Sequence, residues 1–306
     1  MSENRFISDV ISASAETQTD RAQLTDMVVE AQTGSPPVKN SDGGPSDSSI
    51  LNFALSLEYL EAEFYLRGAT GQGLPDDLVG GTGTPGPVSG GRQVHFQSPL
   101  VKNIAREIAM DERAHVVFLR DALGSAAVAR PRISLDHSFT AAATAAGLVK
   151  PGEIFDPYAN DRNFLFAAFL FEDVGVTAFK GAAPFISNKT YLDAAAGLLA
   201  TEAYHAGIIR ASLYNEGLVD ESVFDAVRKL STVRNAVSGP AEDDQDLGTR
   251  DEANLIPTDE HGRAFGRTPA EILNIVYLDA QAGAAGGFYP DGINGTIVHG
   301  TGPRTN

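Results

Sequence analysis

Two copies of Glu-x-x-His, Glu112 with His115 and Glu202 with His205, each sit in an apolar stretch of helical period. A lone Glu lies in an equally apolar stretch upstream of each copy, Glu58 before the first and Glu172 before the second. This is the ligand set of a dinuclear metal site inside a four-helix bundle. Four carboxylates and two neutral imidazoles balance two divalent cations. Carboxylate-rich ligation with one imidazole per metal suits manganese or iron better than a thiolate-preferring ion.

The surroundings of each Glu place it on a face that a 3.6-residue period would bury. Counting back seven, four and three and forward four and seven from Glu202 gives Ala195, Leu198, Leu199, Ala206 and Ile209, with His205 at plus three. The same count from Glu112 gives Ala105, Ile108, Ala109, Val116 and Leu119, with His115 at plus three. Around Glu172 it gives Leu165, Ala168, Phe169, Val176 and Phe179, and Gly175 stands where a His would be. Around Glu58 it gives Leu51, Ala54, Leu55, Ala62 and Tyr65. There the plus-three residue is Glu61, a rival ligand, whereas Glu63 points to the opposite side. No counted position is Lys or Arg, and an unpartnered carboxylate in low dielectric costs several kcal/mol. The bland reading is that single Glu residues are protonated or are met by Lys or Arg from elsewhere. Four together, with both His in register, point to metal.

A net charge of -17 argues against nucleic acid and against an anionic membrane surface, since both are polyanions and no Lys/Arg cluster offsets the deficit. The chain has no Cys, which excludes disulfides and thiolate chemistry but says nothing of compartment. No run of about 18 apolar residues occurs, and the first 30 residues show no basic region followed by an apolar core. The expectation is a cytoplasmic protein that neither spans nor binds membrane.

Stepping along the 306 residues gives an all-α fold. Residues 1–47 read as a polar tail or loosely packed arm, in which Ile7, Val10 and Ile11 could dock a short helix. Residues 48–216 read as a four-helix bundle. Its first helix runs from Ser48 or Ser49 to Arg67, stopped by Gly68. A Gly- and Pro-rich loop follows, then a second helix from Ser98, with Pro99 in the first turn, to Leu123. Residues 124–160 form a long crossover connection read as loop. The third and fourth helices span 161–182 and 189–215, and their short link makes them antiparallel neighbours. Residues 217–306 read as an extension packed on the bundle, with a helix at 220–236. A second starts at the capping box Thr268-Pro269-Ala270-Glu271, and a Gly-rich end follows. His95, His137, His261 and His299 fall in loops, with a surface role as their default. Tyr59 and Tyr204 lie off the ligand stripes. Tyr65, one heptad after Glu58, is a candidate hydrogen-bond donor or radical site, and its simpler reading is an aromatic filling the bundle end.

LNFALSLEYLEAEFY, AMDERAHVVFLRDALG, FLFEDVGVTAFKGAAP and LLATEAYHAGIIRASLY resemble the ferritin-like superfamily, specifically its desiccation-related ferritin-like proteins. FGRTPAEILNIVY and GGFYPDGING are similar to that family too, so the resemblance covers about residue 48 to 295. It implies a ferritin-like four-helix bundle with long crossover connections, extra C-terminal helices and long loops. Its implied metal ligands are Glu58, Glu112, His115, Glu172, Glu202 and His205, with Glu58 preferred over Glu61. It also implies an acid just before a ligand Glu that supports a His; Asp111 fits, while Thr201 occupies the matching place in the second motif.

The superfamily includes ferroxidase stores, manganese catalases and oxygenases, and fold analogy alone does not choose among them. The leading expectation is an oxidoreductase that removes hydrogen peroxide at two manganese or iron ions, because a metal pair about 3.5 to 4 Å apart can hold both oxygens of a peroxide. The alternatives are a ferroxidase or iron-binding protein, against which the long loops stand, and a structural desiccation protectant with a stabilising metal site. The expected partner is a small oxidant, hydrogen peroxide or dioxygen, with a homo-oligomer left open.

Overall fold

The computed structural model describes residues 45–239, 243–281 and 283–301. The short helix considered around Ile7, Val10 and Ile11 lies outside the described residues. Seven helices occur among those described: α1 Asp47–Thr70, α2 Pro99–Leu123, α3 His137–Ala145, α4 Asp161–Ala182, α5 Lys189–Gly217, α6 Ser222–Ser238 and α7 Pro269–Tyr277. The only named strands there, β1 Val88–Ser89 and β2 Ile133–Ser134, pair in parallel and tie the two long connections together.

Helix α1 is apolar on nearly every side and is buried almost along its whole length, the mark of a central helix. It begins one residue earlier than expected, at Asp47. That carboxylate accepts hydrogen bonds from the backbone N–H groups of Ser187 and Asn188 at 2.8 Å each, which fixes the α4–α5 link to the start of α1. The helix also runs past Gly68. A Cβ at residue 68 would lie 2.5 Å from the Phe164 ring, so this glycine lets α1 and α4 approach. The stop is Gly71, whose φ of 83° is the left-handed cap that glycine adopts without steric cost.

Helix α2 pairs closely with α1 and α5 with α4, and the two pairs close around the core. Helix α2 starts at the Ser98 cap with Pro99 in its first turn, and the Thr268–Glu271 capping box opens α7. The crossover connection holds α3, where loop was expected. The Asp136 carboxylate accepts from the His137 N–H to start it, and Phe139 enters an aromatic cluster with Phe64, Phe171 and Phe288 at centroid distances of 5.0 to 5.4 Å. His137 is therefore an exposed first residue of a helix rather than a loop residue. Its alanine-rich sequence carries no polar stripe opposite an apolar one, which is why periodicity passes over it.

Three buried arginines clamp the C-terminal segments to the bundle. Arg210 of α5 and Arg234 of α6 both donate to Asp173 of α4, at 2.8 and 2.7 Å, while Arg234 and Arg267 share Asp244. Arg234 also lies over the Phe169 ring, 4.6 Å from its centroid. No helix among the described residues is long and apolar enough to cross a membrane.

Candidate metal centre

Each of the four bundle helices delivers one carboxylate to a common point. Glu58 comes from α1, Glu112 from α2, Glu172 from α4 and Glu202 from α5, and all four are essentially without solvent exposure. Three residues on from Glu112 and Glu202 the helix has turned almost once, so His115 and His205 lie on the same inward faces. Both rings present Nδ1 to the cluster. His115 Nδ1 is 3.1 Å from Glu58 Oε2 and 3.5 Å from a carboxylate oxygen of each of Glu112 and Glu202. His205 Nδ1 is 3.0 Å from Glu112 Oε1 and 3.5 Å from Glu172 Oε2.

The six side chains form two overlapping groups, Glu58, Glu112, His115 and Glu202 on one side, Glu112, Glu172, Glu202 and His205 on the other. In each group one atom per residue lies within 4.8 Å of the others, and Glu112 and Glu202 serve both. Oxygens of all four carboxylates, both of them in Glu112, Glu172 and Glu202, are buried without a hydrogen-bond partner, as is His205 Nδ1. Lone pairs that converge on shared points instead of on donors fit two cations.

Burial pushes Glu58 well above the usual carboxyl range and raises Glu172, and burial together with the Glu112 charge takes Glu202 up to about 8. Burial works against a charged His205, yet Glu112 and Glu172 outweigh it and push the ring up to about 12. His115 is raised in the same way, against burial, by Glu58, Glu112 and Glu202. Glu112 is burdened by its burial, yet it is held below the usual range because the two imidazoles beside it together outweigh that burial. Without cations, then, this cluster retains protons on carboxyl and imidazole groups alike.

Glu63 provides the contrast. It too is fully buried on α1, but it points away from the cluster and is met by Arg67 at 2.8 Å and by Arg130. That is how a buried carboxylate is satisfied by cations of the chain. Among the described residues no Lys or Arg forms an ion pair with Glu58, Glu112, Glu172 or Glu202.

The structure separates Glu61 from Glu58. Glu61 belongs to neither group, although it is buried beside them; burial and then the Glu202 charge push its carboxyl well up. Gly175 explains how both acids fit. A Cβ at residue 175 would lie 2.1 Å from Glu202 Oε2 and 3.4 Å from Glu61 Oε1, so the position reserved for a His in the other motifs is kept open by a glycine. Tyr65 is buried, packs edge-on against Phe64 and Phe164, and carries its hydroxyl beside Glu172 without a hydrogen bond of good geometry. Burial and the Glu172 charge raise its phenol well above the ordinary value.

Asp111 accepts from His205 Nε2 at 3.1 Å, across from α2 to α5, so it supports the His of the other motif rather than its own. Thr201, its counterpart, bonds back to Gly197 O. Tyr59 is held at Val128 O and by Arg120, and Tyr204 is exposed. His95, His137, His261 and His299 are all exposed and outside the cluster. Two contributors to the site appear only in the fold, the space at Gly175 and the cover that α7 and Phe288 place over this end of the bundle. The first had a signal in the sequence, a glycine at plus three in an otherwise apolar stripe.

A helical bundle that gathers four carboxylates and two imidazoles into two overlapping sets has side chains that could hold a pair of metal ions. The chain belongs to the ferritin-like family, whose domain matches residues 46–215. It is similar to the desiccation-related protein PCC13-62 of Craterostigma plantagineum, with 34% identity over 264 residues covering 80% of this chain and 82% of that protein. It is similar also to the ferritin-like catalase Nec2 of Nesocodon mauritianus, with 31% identity over 270 residues covering 83% and 85%. No solved structure matches it.

Proposed function

We propose that this chain is a dinuclear manganese or iron oxidoreductase of the stress and desiccation response that removes hydrogen peroxide. The observation that carries the reading is the set of buried, unbonded carboxylate oxygens facing two imidazole Nδ1 atoms, where Glu63 on the same helix is neutralised by arginines. The name of one relative, a ferritin-like catalase, favours peroxide, and that of the other favours desiccation.

Glu58 with His115 and Glu172 with His205 would each hold one ion, and Glu112 and Glu202 would lie between the two. Bound there, a pair of redox-active ions supplies the capacity to exchange two electrons with peroxide. The chain's own residues do the rest. Asp111 fixes the tautomer and orientation of His205 by accepting from Nε2, which leaves Nδ1 free for the cluster. The apolar residues of the four stripes keep bulk water from the carboxylates and so strengthen every charge interaction among them.

Loading the metal-free protein with manganese or with ferrous iron tests this directly. Two ions per chain and consumption of hydrogen peroxide are the expected result. A fully loaded protein that leaves peroxide untouched, with and without electron donors, overturns the peroxide reading. Rapid oxidation of added ferrous iron by dioxygen in the same sample would replace it with ferroxidase activity.

A further inference from the structure

Beneath α7 lies a small apolar cavity, bounded by Leu57 of α1, Val174 of α4, Val276 of α7 and Phe288. Glu61 is the one polar side chain in its lining. The centre of a water-sized sphere has about 20 Å³ to move in there, against roughly 10–15 Å³ for a single water. Its inner end is Gly175, the position at which the Glu202 and Glu61 carboxylates converge over bare backbone. Glu61 Oε2 has no hydrogen-bond partner.

The one lining residue that is not fully buried carries a second unusual feature. Leu278, half-buried in the lining, has φ 53° and ψ 37°, and it is the one non-glycine residue of positive φ among those described. It caps α7 at a position where glycine is the ordinary choice. A leucine held in a left-handed conformation places an isobutyl group at the cavity where glycine would leave a gap.

We infer that this cavity is the route by which a small uncharged oxidant reaches the metal cluster, with Leu278 at its mouth and the Glu61 carboxyl as the group that hydrogen-bonds the oxidant at its inner end. The inference rests on the peroxide reading for the identity of the oxidant, and on geometry alone for the route. Apolar walls disfavour ions, whose desolvation nothing before Glu61 would offset. Hydrogen peroxide is small enough to enter and needs one hydrogen-bonding partner where the walls end. Glu61 is placed for that task because it lies outside both ligand groups yet next to Glu202. The competing entrance is the cleft between α2 and α5 lined by Ile108, Asp111, Tyr204, His205 and Ile208, which reaches His205 from the solvent side.

The test uses the full chain loaded with metal and two readouts. The first is the rate at which nitric oxide, a small uncharged probe, changes the absorbance of the ferrous-loaded protein, which needs no turnover. The second is consumption of hydrogen peroxide against the bulkier tert-butyl hydroperoxide. Val276→Trp, which fills the cavity, should slow nitric oxide access by about tenfold with both ions retained. Leu278→Gly, which suits the backbone and opens the mouth, should raise the relative consumption of tert-butyl hydroperoxide by about as much. Glu61→Leu should keep two ions and normal nitric oxide access while raising KM for hydrogen peroxide by about fivefold, the loss of one hydrogen bond. Unchanged access in Val276→Trp together with unchanged selectivity in Leu278→Gly overturns the route. Slowing by Ile208→Trp in their place moves the entrance to the Asp111 cleft and overturns it as well. Loss of an ion in Glu61→Leu makes Glu61 a ligand and overturns its role in binding the oxidant. If the parent protein consumes no peroxide but nitric oxide access still follows Val276, the peroxide reading fails and the route stands.

Discussion

The two halves of the cluster use the same ligand types and rest on different surroundings. On the Glu58/His115 side, α1 carries a second acid, Glu61, at plus three and Tyr65 at plus seven; on the Glu172/His205 side, α4 carries Gly175 and Phe179 at the matching positions. The supports cross over. Tyr65 of α1 reaches Glu172, and Asp111 of α2 holds His205, so both polar neighbours serve the Glu172/His205 half. A duplicated pattern therefore gives two halves with unequal polar supports, Tyr65 and Asp111 beside one and Glu61 on the helix of the other.

The comparison can be broken most strongly at the residues the halves share. Glu112→Ala or Glu202→Ala removes an oxygen donor from both groups, so each variant should fall from two ions per chain to fewer than one, with peroxide consumption lost by more than about 100-fold. Elemental analysis and a peroxide assay check this. Retention of both ions in either variant would show that these carboxylates do not lie between two metals.

At the unshared ligands the effect should halve. Glu172→Ala should lose the ion beside His205 and keep the one beside His115, and Glu58→Ala should do the converse. Each removes a carboxyl that burial disfavours in charged form by more than the neighbouring His favours it, so the metal-free variants should unfold at a higher temperature than the metal-free parent. Titration of metal per chain with calorimetry of the chelated proteins separates the two outcomes.

Metal removal sets the next scale. The Glu202 carboxyl has a pKa of about 8 in the folded chain against its ordinary 4.5, so between those values the metal-free fold binds more protons than the unfolded chain. Its stability must then fall as pH rises across that window. His205, raised to about 12 from 6.5, adds the same sign above 6.5. Glu112, held low, has the opposite sign only below its ordinary 4.5. Bound ions stabilise the fold by mass action, about 2.7 kcal/mol at a hundred times Kd. The difference in melting temperature between loaded and chelated protein should therefore widen from about pH 5 to about pH 8. A constant difference would remove the carboxylates from the site.

Much of this was legible because helical periodicity and ligand spacing are both local. The four stripes, the His at plus three and the caps at Ser98 and Thr268 are read within one or two turns. What depends on chain meeting chain was not. Gly68 reads as a stop until Phe164 is seen to fill the space beside it, and Gly175 reads as a missing His until Glu202 is seen to occupy its place. Asp111 reads as the support of a His without showing which, and the bundle brings the other motif's His205 to it. The α3 helix escaped because its alanines show no stripe, and its contribution is one residue, Phe139, inserted from far along the chain.

Asp111 sharpens the inequality at a smaller scale. Asp111→Asn keeps the shape and weakens the acceptor for His205 Nε2–H, so metal affinity should drop by about 10- to 100-fold at the His205 half alone. Binding isotherms should show one step displaced to weaker binding and the other unchanged. Equal weakening of both steps would mean that the halves are coupled too tightly to be told apart.

Tyr65→Phe is the smallest expected change and the finest test of the comparison, because it gives α1 an aromatic without a hydroxyl, as Phe179 is on α4. The Tyr65 hydroxyl is buried without a well-formed hydrogen bond, and its ring fills space against Phe64 and Phe164. Phenylalanine keeps the ring and removes a poorly satisfied polar atom, so stability should shift by less than about 1 kcal/mol, in either direction. Metal content should stay at two ions. If Tyr65 merely packs, peroxide consumption should also stay within about twofold. A fall of about tenfold or more with stability and metal content unchanged would assign the hydroxyl beside Glu172 a part in the chemistry itself. The inequality of the two halves would then extend from their supports to their reactivity.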